Sequence, residues 1–574
     1  MKTGRPPAQP AHAGLLPEEV YLIGCGTGST VTGDPSPHTM GFKAWGMLRM
    51  TQLSLRVPPA FVLGTHYCLD PAARRLASGR TLWQTSLHEL ERATGLGWGD
   101  ARQPLLLSVR SGAPVSMPGM METLLNIGLC DATCAGLLRR SGNPRLVWDA
   151  YRRLVATYGE VVRALPGRLF DDATATLFGG RDAASLDFAE LRALTRAFLD
   201  VYATAAGRPF PQSPDEQLAE AIEAVFASWQ SAKACEYRRA NQIPDGIGTA
   251  VTVQAMAFGN AGGRSGAGVG FTRDPRTGEP GLWVDFLFNA QGEDVVSGRR
   301  SAPGHDELAA VLPAVWRSLI DAARDLEHAF CDMQDFEFTV QDGQLFMLQT
   351  RAGKRTPQAA ARIALDLFDG HVIDRAQALE RTVGLDRNAL AQRKIVAAGG
   401  GQVAPLAQAS AASNGVATGE IALDEARAVA RHHADVAVIL VRTNAETGDI
   451  AALESAEGLL TQHGARTSHA AVVARQLGKV CLVGCATLQI DDRTRTIRFG
   501  DTTLQEGAVL TLDGNTGAIY AGAVMTEVTY PTELLRRLEA LRQEQPAPVS
   551  RLTPPDRPDL PDLPAGEVIA PQPA

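Results

Sequence analysis

Two strings of this 574-residue chain constrain its fold more than any other part: Gln334-Asp335-Phe336-Glu337-Phe338-Thr339-Val340 and Leu345-Phe346-Met347-Leu348-Gln349-Thr350-Arg351. Gln341-Asp342-Gly343-Gln344 lies between them. Strand formers flanking an Asp-Gly pair predict a β-hairpin. Side chains alternate along a strand, so Asp335 and Glu337 share one face. Gln349 and Arg351 share a parity on the return strand and are expected on that face too. Two carboxylates, an amide and a guanidinium on one sheet surface suit Mg²⁺ and a polyphosphate. The same four residues would also make a solvated strand face with a salt bridge.

A second string, Gly464-Ala465-Arg466-Thr467-Ser468-His469-Ala470-Ala471-Val472-Val473-Ala474-Arg475, predicts a helix start with a histidine in its first turn. Thr467 or Ser468 is placed to cap it. A neutral imidazole there is a nucleophile beside free backbone N–H groups that face an anion. Three weaker segments accompany it. Gly41-Phe42-Lys43-Ala44-Trp45-Gly46 reads as a glycine-flanked loop carrying a lysine. Ser108-Val109-Arg110-Ser111-Gly112 sets an arginine at a strand end before Met117-Pro118-Gly119-Met120-Met121, read as a mobile loop. Asn289-Ala290-Gln291-Gly292-Glu293-Asp294 presents carboxylates on a turn. Only 6 of the 55 basic residues are lysine, Lys43 among them, so a lysine kept at a motif is of interest for its compact charge.

The rest of the chain gives organisation. At this length about three or four domains are expected. Short β-rich runs are read from Tyr21 to about Ile127. A helical stretch follows to about Asn241, with Trp148, Tyr151, Leu154, Val155 and Tyr158 on one core-facing stripe and Leu218, Ile222, Val225, Phe226 and Trp229 on another. Strands are read again at Val251–Ala257 and Leu282–Phe288. A helical connector (Gln358–Val396) leads to the glycine hinge Gly399–Gly401. A small α/β unit has strands at Ala437–Arg442, Gly458–Leu460 and Lys479–Val483. The end of the chain carries one short helix (Glu533–Arg542) and nine prolines between Pro546 and Pro573. With 45% hydrophobic and 21% charged residues and a net charge of −8, neither a nucleic-acid footprint nor a membrane span is read. The eight cysteines read as reduced thiols, including the Cys130/Cys134 and Cys481/Cys485 pairs. A cytoplasmic location is expected.

Taken with Pro118-Gly119-Met120-Met121 and Phe271-Thr272-Arg273, these strings resemble the pyruvate phosphate dikinase family over most of residues 40–525. The resemblance implies an α/β (α+β) multidomain fold: an ATP-grasp nucleotide-binding domain with a helical insertion, then a small swivelling β/α phosphohistidine domain. The corresponding division is a disordered start (1–18), ATP-grasp parts at 19–127 and 246–357, the insertion at 128–245 and a helical linker at 358–401. The phosphohistidine domain takes 402–524, and the short helix with the proline-rich tail takes 525–574. The resemblance makes His469 the phosphorylated residue, with Arg110 acting beside it. Lys43, Arg110, Asp335, Glu337, Gln349 and Arg351 become nucleotide and phosphate ligands, Glu337 and Gln349 the Mg²⁺ ligands, and Thr467 a regulatory site. ATP and inorganic phosphate are the implied substrates.

The chain departs from the family pattern in places. Gly41-Phe42-Lys43-Ala44 replaces Gly-Gly-Lys-Gly, Ala465 stands where the family has a second glycine before the histidine, and Arg466 replaces an apolar residue. The family's pyruvate-binding barrel needs about 250 residues, and roughly 55 follow Tyr520. The expected partner is therefore a separate pyruvate- or phosphoenolpyruvate-binding subunit, with a homodimer as the assembly considered. A different small-molecule acceptor for the phosphohistidine, or a non-catalytic nucleotide-binding regulatory paralogue, are the alternatives.

Overall fold

A computed structural model of the chain describes residues 16–26, 34–115, 117, 120–179, 181, 183–296, 305–396, 404–444 and 449–543, and of His469 the backbone only. Two antiparallel sheets form the first body. One runs in the order Val20–Ile23, Ala60–Leu63, Ala250–Ala255, Leu107–Gly112, Thr123–Ile127. The other runs Gln344–Ala352, Gln334–Gln341, Gly266–Arg273, Pro280–Phe288. The hairpin turns on Asp342 and Gly343, both at positive φ, as a two-residue loop requires.

The strand Gly266–Arg273 has no counterpart in the sequence reading; glycine at 266, 268 and 270 weakens a strand's sequence signal. Packing explains them: a Cβ at Gly268 would lie 2.4 Å from the Phe338 ring, and one at Gly270 would lie 2.6 Å from Phe336. Those rings cross the strand to reach the core that also holds Met40, Met47 and Leu319.

The first hundred residues are more helical than their β-rich reading. Pro37–Gln52, Pro71–Ala77 and Arg80–Thr94 are helices. Ser36 caps the first of them in a capping box with Thr39, and Pro37 occupies the first turn. The segment read as a glycine loop around Lys43 lies within that helix. Only Gly41 departs from helical geometry (φ 74°, ψ 159°), so Phe42 and Ala44 never need a positive φ.

The helical stretch follows its stripes except at Trp148, which is half-buried with the Arg192 and Arg196 guanidiniums over its ring. In Pro144–Arg163 the buried positions Leu146, Val147, Ala150, Tyr151, Leu154, Val155 and Tyr158 recur every three or four residues, and Asn143 caps the start. Tyr151, Tyr158 and Tyr202 close around Phe210.

The connector comprises two helices, Pro357–Asp369 and Arg375–Arg381, and then a strand, Gln392–Ile395, in place of continuous helix. That strand pairs with Thr526–Thr529. The closing helix Thr532–Gln543 buries Leu534, Leu538 and Leu541 against Ile363 and Leu367. The hinge Gly399–Gly401 and the proline-rich tail lie outside the described residues.

Between them stands an eight-stranded sheet. Its centre (Val416–Ala422, Val438–Arg442, Gly458–Thr461, Val480–Val483) is parallel and its flanks are antiparallel. Helices Glu425–His433, Ile450–Glu454 and His469–Gln476 make the crossovers. All eight cysteines are free, and Cys130, Cys134, Cys481 and Cys485 are buried. Among the described residues no helix is long and apolar enough to cross a membrane.

Candidate active site

A cleft of about 380 Å³ opens between the two sheets of the first body. Ser108, Arg110 and Gln254 reach it from one sheet; Val269, Glu337, Gln349 and Arg351 from the other. Lys43 enters from the first helix. Arg110 lies within its strand, not at its end, and its Nη2 donates to Glu337 Oε2 at 3.5 Å and to Gln349 Oε1 at 3.4 Å. Gln349 Nε2 donates to Glu337 Oε1 at 3.2 Å. Burial, reinforced by the Arg110 charge, pushes the Lys43 amine down to about 8.

Asp335 behaves differently. It is 2% exposed and does not line the cleft; Arg351 Nε donates to its Oδ2 at 2.9 Å. Burial raises the Asp335 carboxyl pKa against the opposing pull of Arg351. Of the six expected ligands, five therefore line the cleft and Asp335 anchors one of them from beneath.

Cross-strand register organises this face. Arg351, Asp335, Phe271 and Trp283 stand opposite one another across the four strands; Gln349, Glu337, Val269 and Asp285 form the next such row. A β-bulge decides this. From the turn, Phe338 pairs with Met347, but Glu337 pairs with Gln349. The extra residue, Leu348, turns Gln349 and Arg351 onto the Asp335–Glu337 face; without it they would point to the other side.

The far ends of both rows carry the loop that leads into the His469 helix. Arg466 Nε and Nη2 donate to Asp285 Oδ1 at 3.0 and 2.8 Å, and the Thr467 N–H donates to Oδ2 at 3.0 Å. The Arg466 guanidinium lies 4.3 Å from the Trp283 ring. Ala465 packs with Val269, Leu287 and Ala290. Of the two expected caps it is Ser468 that serves, accepting from the Ala471 N–H at 3.5 Å, and the helix begins at His469. The His469 side chain lies outside the described residues. Thr467 is 4% exposed, its hydroxyl without a hydrogen-bond partner among the described residues.

Further residues were missed by the sequence reading. Arg153 lines the cleft and bonds Asp149 and Asp294 at 2.8 and 3.2 Å, and Glu293 as well. It sits on the polar side of a helix read only for its apolar stripe. The carboxylates read on a turn thus belong to a short helix, Gly292–Val296, and pair with Arg153. Gln291 lines the cleft, buried, with both amide atoms unpartnered among the described residues. Asp285, one acid in the apolar run Trp283–Phe288, was the legible signal for the docking face. Pro118 and Gly119 of the methionine-glycine loop lie outside the described residues, whereas Met117 is buried with Ala113 and Trp229.

Residues 83–308 match the family model described as pyruvate phosphate dikinase, AMP/ATP-binding domain, and residues 435–517 match that of the PEP-utilising enzyme, mobile domain. The chain is 40% identical over 523 residues to pyruvate, phosphate dikinase 2 of Zea mays and 41% identical over 501 residues to pyruvate, phosphate dikinase of Clostridium symbiosum. The chain belongs to the pyruvate phosphate dikinase family. These alignments take in 89% and 85% of the chain but 58% and 57% of the two dikinases, so it spans a little over half the length of the curated relatives it matches. The first matched region takes in Arg110, Arg153 and Asp285 but neither Lys43 nor the Gln334–Ala352 hairpin, and the second takes in the helix that begins at His469.

Proposed function

We propose that this chain uses ATP and inorganic phosphate to phosphorylate His469, and passes the phosphoryl group to pyruvate, forming phosphoenolpyruvate, on a separate pyruvate/phosphoenolpyruvate-binding subunit. One observation carries the reading: the loop preceding His469 docks on the same sheet face whose other end lines the nucleotide cleft. Lys43, Arg110 and Arg351 supply three cations to a polyphosphate in that cleft. A neutral His469 nitrogen forms a bond to the β-phosphorus as the bond to the α-phosphate oxygen breaks, releasing AMP and leaving pyrophosphoryl-histidine. Inorganic phosphate then takes the outer phosphoryl group as pyrophosphate, and phosphohistidine remains.

Glu337 and Gln349 fit Mg²⁺ as hard oxygen donors beside the phosphates. Among the described residues no cluster of three His, Cys, Asp or Glu could hold a metal by itself. That matches an ion carried in with the nucleotide. When bound, Mg²⁺ neutralises charge on the β- and γ-phosphate oxygens. Delivery requires Arg466 and Thr467 to leave Asp285, and phosphorylation at Thr467 by a regulatory kinase would require the same release. We place the protein in the cytoplasm, in keeping with its free thiols.

The test uses ATP labelled at the β or γ position, with and without phosphate, on wild type and His469→Ala. Acid-labile β-label that depends on His469, with pyrophosphate released only when phosphate is present, is the expected result. Absence of histidine-dependent label in every condition would overturn the reading.

A further inference from the structure

Arg475 is the last residue but one of the helix that begins at His469, and it is only 1% exposed. Its guanidinium lies 5.2 Å from the Phe271 ring and 5.7 Å from the Trp283 ring, over the docking end of the first cross-strand row. Nη2 donates to the Arg466 carbonyl at 3.1 Å, bracing the loop from behind. Nε and Nη1 have no hydrogen-bond partner among the described residues. Burial pushes this guanidinium down to about 10. A methionine would fill a site facing two aromatic rings without stranding two donors, so packing alone does not account for an arginine here.

The charge does have a target. Asp335 stands next to Phe271 in the same row, and it is the carboxylate that holds Arg351 at 2.9 Å. Across the Phe271 ring the Arg475 charge favours the ionised form of Asp335, as a smaller influence than Arg351, and likewise that of Asp274. Docking thus brings a second cation toward the carboxylate that restrains a cleft arginine. Undocking takes it away.

We propose that Arg475 is a positioning residue that couples docking of the His469 helix to the phosphate-binding end of the cleft, by sharing Asp335 with Arg351. Docked, Asp335 divides its charge between two arginines and holds Arg351 less firmly, leaving Arg351 to meet the polyphosphate. Undocked, Asp335 takes Arg351 back. This rests on the reading above that His469 is phosphorylated in that cleft.

Three measurements on the full chain test it: amide hydrogen exchange over residues 464–471, binding by calorimetry of α,β-methylene-ATP, whose α–β link cannot be cleaved, and the first-turnover rate of His469 labelling. Arg475→Met is expected to retain exchange protection while α,β-methylene-ATP binding weakens and labelling slows, each on the order of fivefold or more. Arg475→Lys, which restores charge without the fork, is expected to recover part of both losses. Arg475→Met indistinguishable from wild type in affinity and rate would overturn the proposal. So would effects that appear only together with lost protection, or that lysine leaves unrepaired, since either marks a packing role. If wild type labels no histidine, the functional reading falls, and the α,β-methylene-ATP comparison alone then decides the coupling.

Discussion

Replacing Asp285 with Asn probes the docked arrangement most directly. The carboxylate is fully buried and accepts three hydrogen bonds, two from Arg466 and one from the Thr467 N–H. An asparagine keeps one oxygen and turns an NH₂ toward a donor on the other side, whichever way it is set. Losing charge assistance and creating a donor–donor conflict costs about 2–4 kcal/mol. At 1.4 kcal/mol per factor of ten, the docked-to-undocked ratio falls roughly 30- to 700-fold. The loss is capped by the docking free energy, because an undocked loop returns Arg466 and residue 285 to water. The two-sheet body should therefore keep its thermal midpoint to within about 2 °C. Hydrogen exchange of peptides spanning 464–471 and 280–288 reads the docking directly. Both should lose protection in Asp285→Asn, and adding Arg466→Met should change little further, since the two residues act as one pair. Retained protection in the single variant, or a large fall in the midpoint, would refute the argument.

Lys43 gives a pH signature. Its amine titrates at about 8 in the folded protein against an ordinary 10.5, so between those values the unfolded chain holds more protons and this group's contribution to stability rises with pH. Nucleotide phosphates favour the ammonium, so ATP binding above pH 8 should take up a proton and weaken as pH rises; calorimetry at pH 9 in two buffers of different ionisation enthalpy measures this, and Lys43→Met should abolish it. Gly41→Ala would set a Cβ 1.8 Å from the Gly112 carbonyl oxygen at φ 74°, ψ 159°, a conformation nearly reserved for glycine. A stability loss of about 3 kcal/mol or more is expected in urea unfolding, with weakened ATP binding as Lys43 shifts.

Local chemistry was legible without the fold. The aromatic stripes of the Pro144–Arg163 and Pro214–Ser228 helices, the Asp-Gly hairpin and the cap before His469 depend on neighbours a few residues away. The helix at Lys43 was not, because Gly41, Phe42 and Gly46 read as a loop until the helix packs against the Thr350 strand and the Gly112 backbone. Arg153 and Arg475 were passed over for a related reason: Glu293 and Asp294, which join Arg153 to the cleft, and Phe271 and Trp283, which face Arg475, come from segments distant in sequence.

Alternation along a strand fixed from sequence that Asp335 and Glu337 share a face, and that Gln349 and Arg351 share one. It did not fix that the two faces are the same. In an unbulged two-residue hairpin, Asp335 would face Thr350, and the amide and guanidinium would point away from the carboxylates. The bulge at Leu348 reverses that. Pairing with Gly266–Arg273 and Pro280–Phe288 then extends each row to Trp283 and Asp285, where the His469 loop lands. Side-chain direction has a period of two and is written locally; register and docking are set by long-range packing, where one inserted residue changes the face.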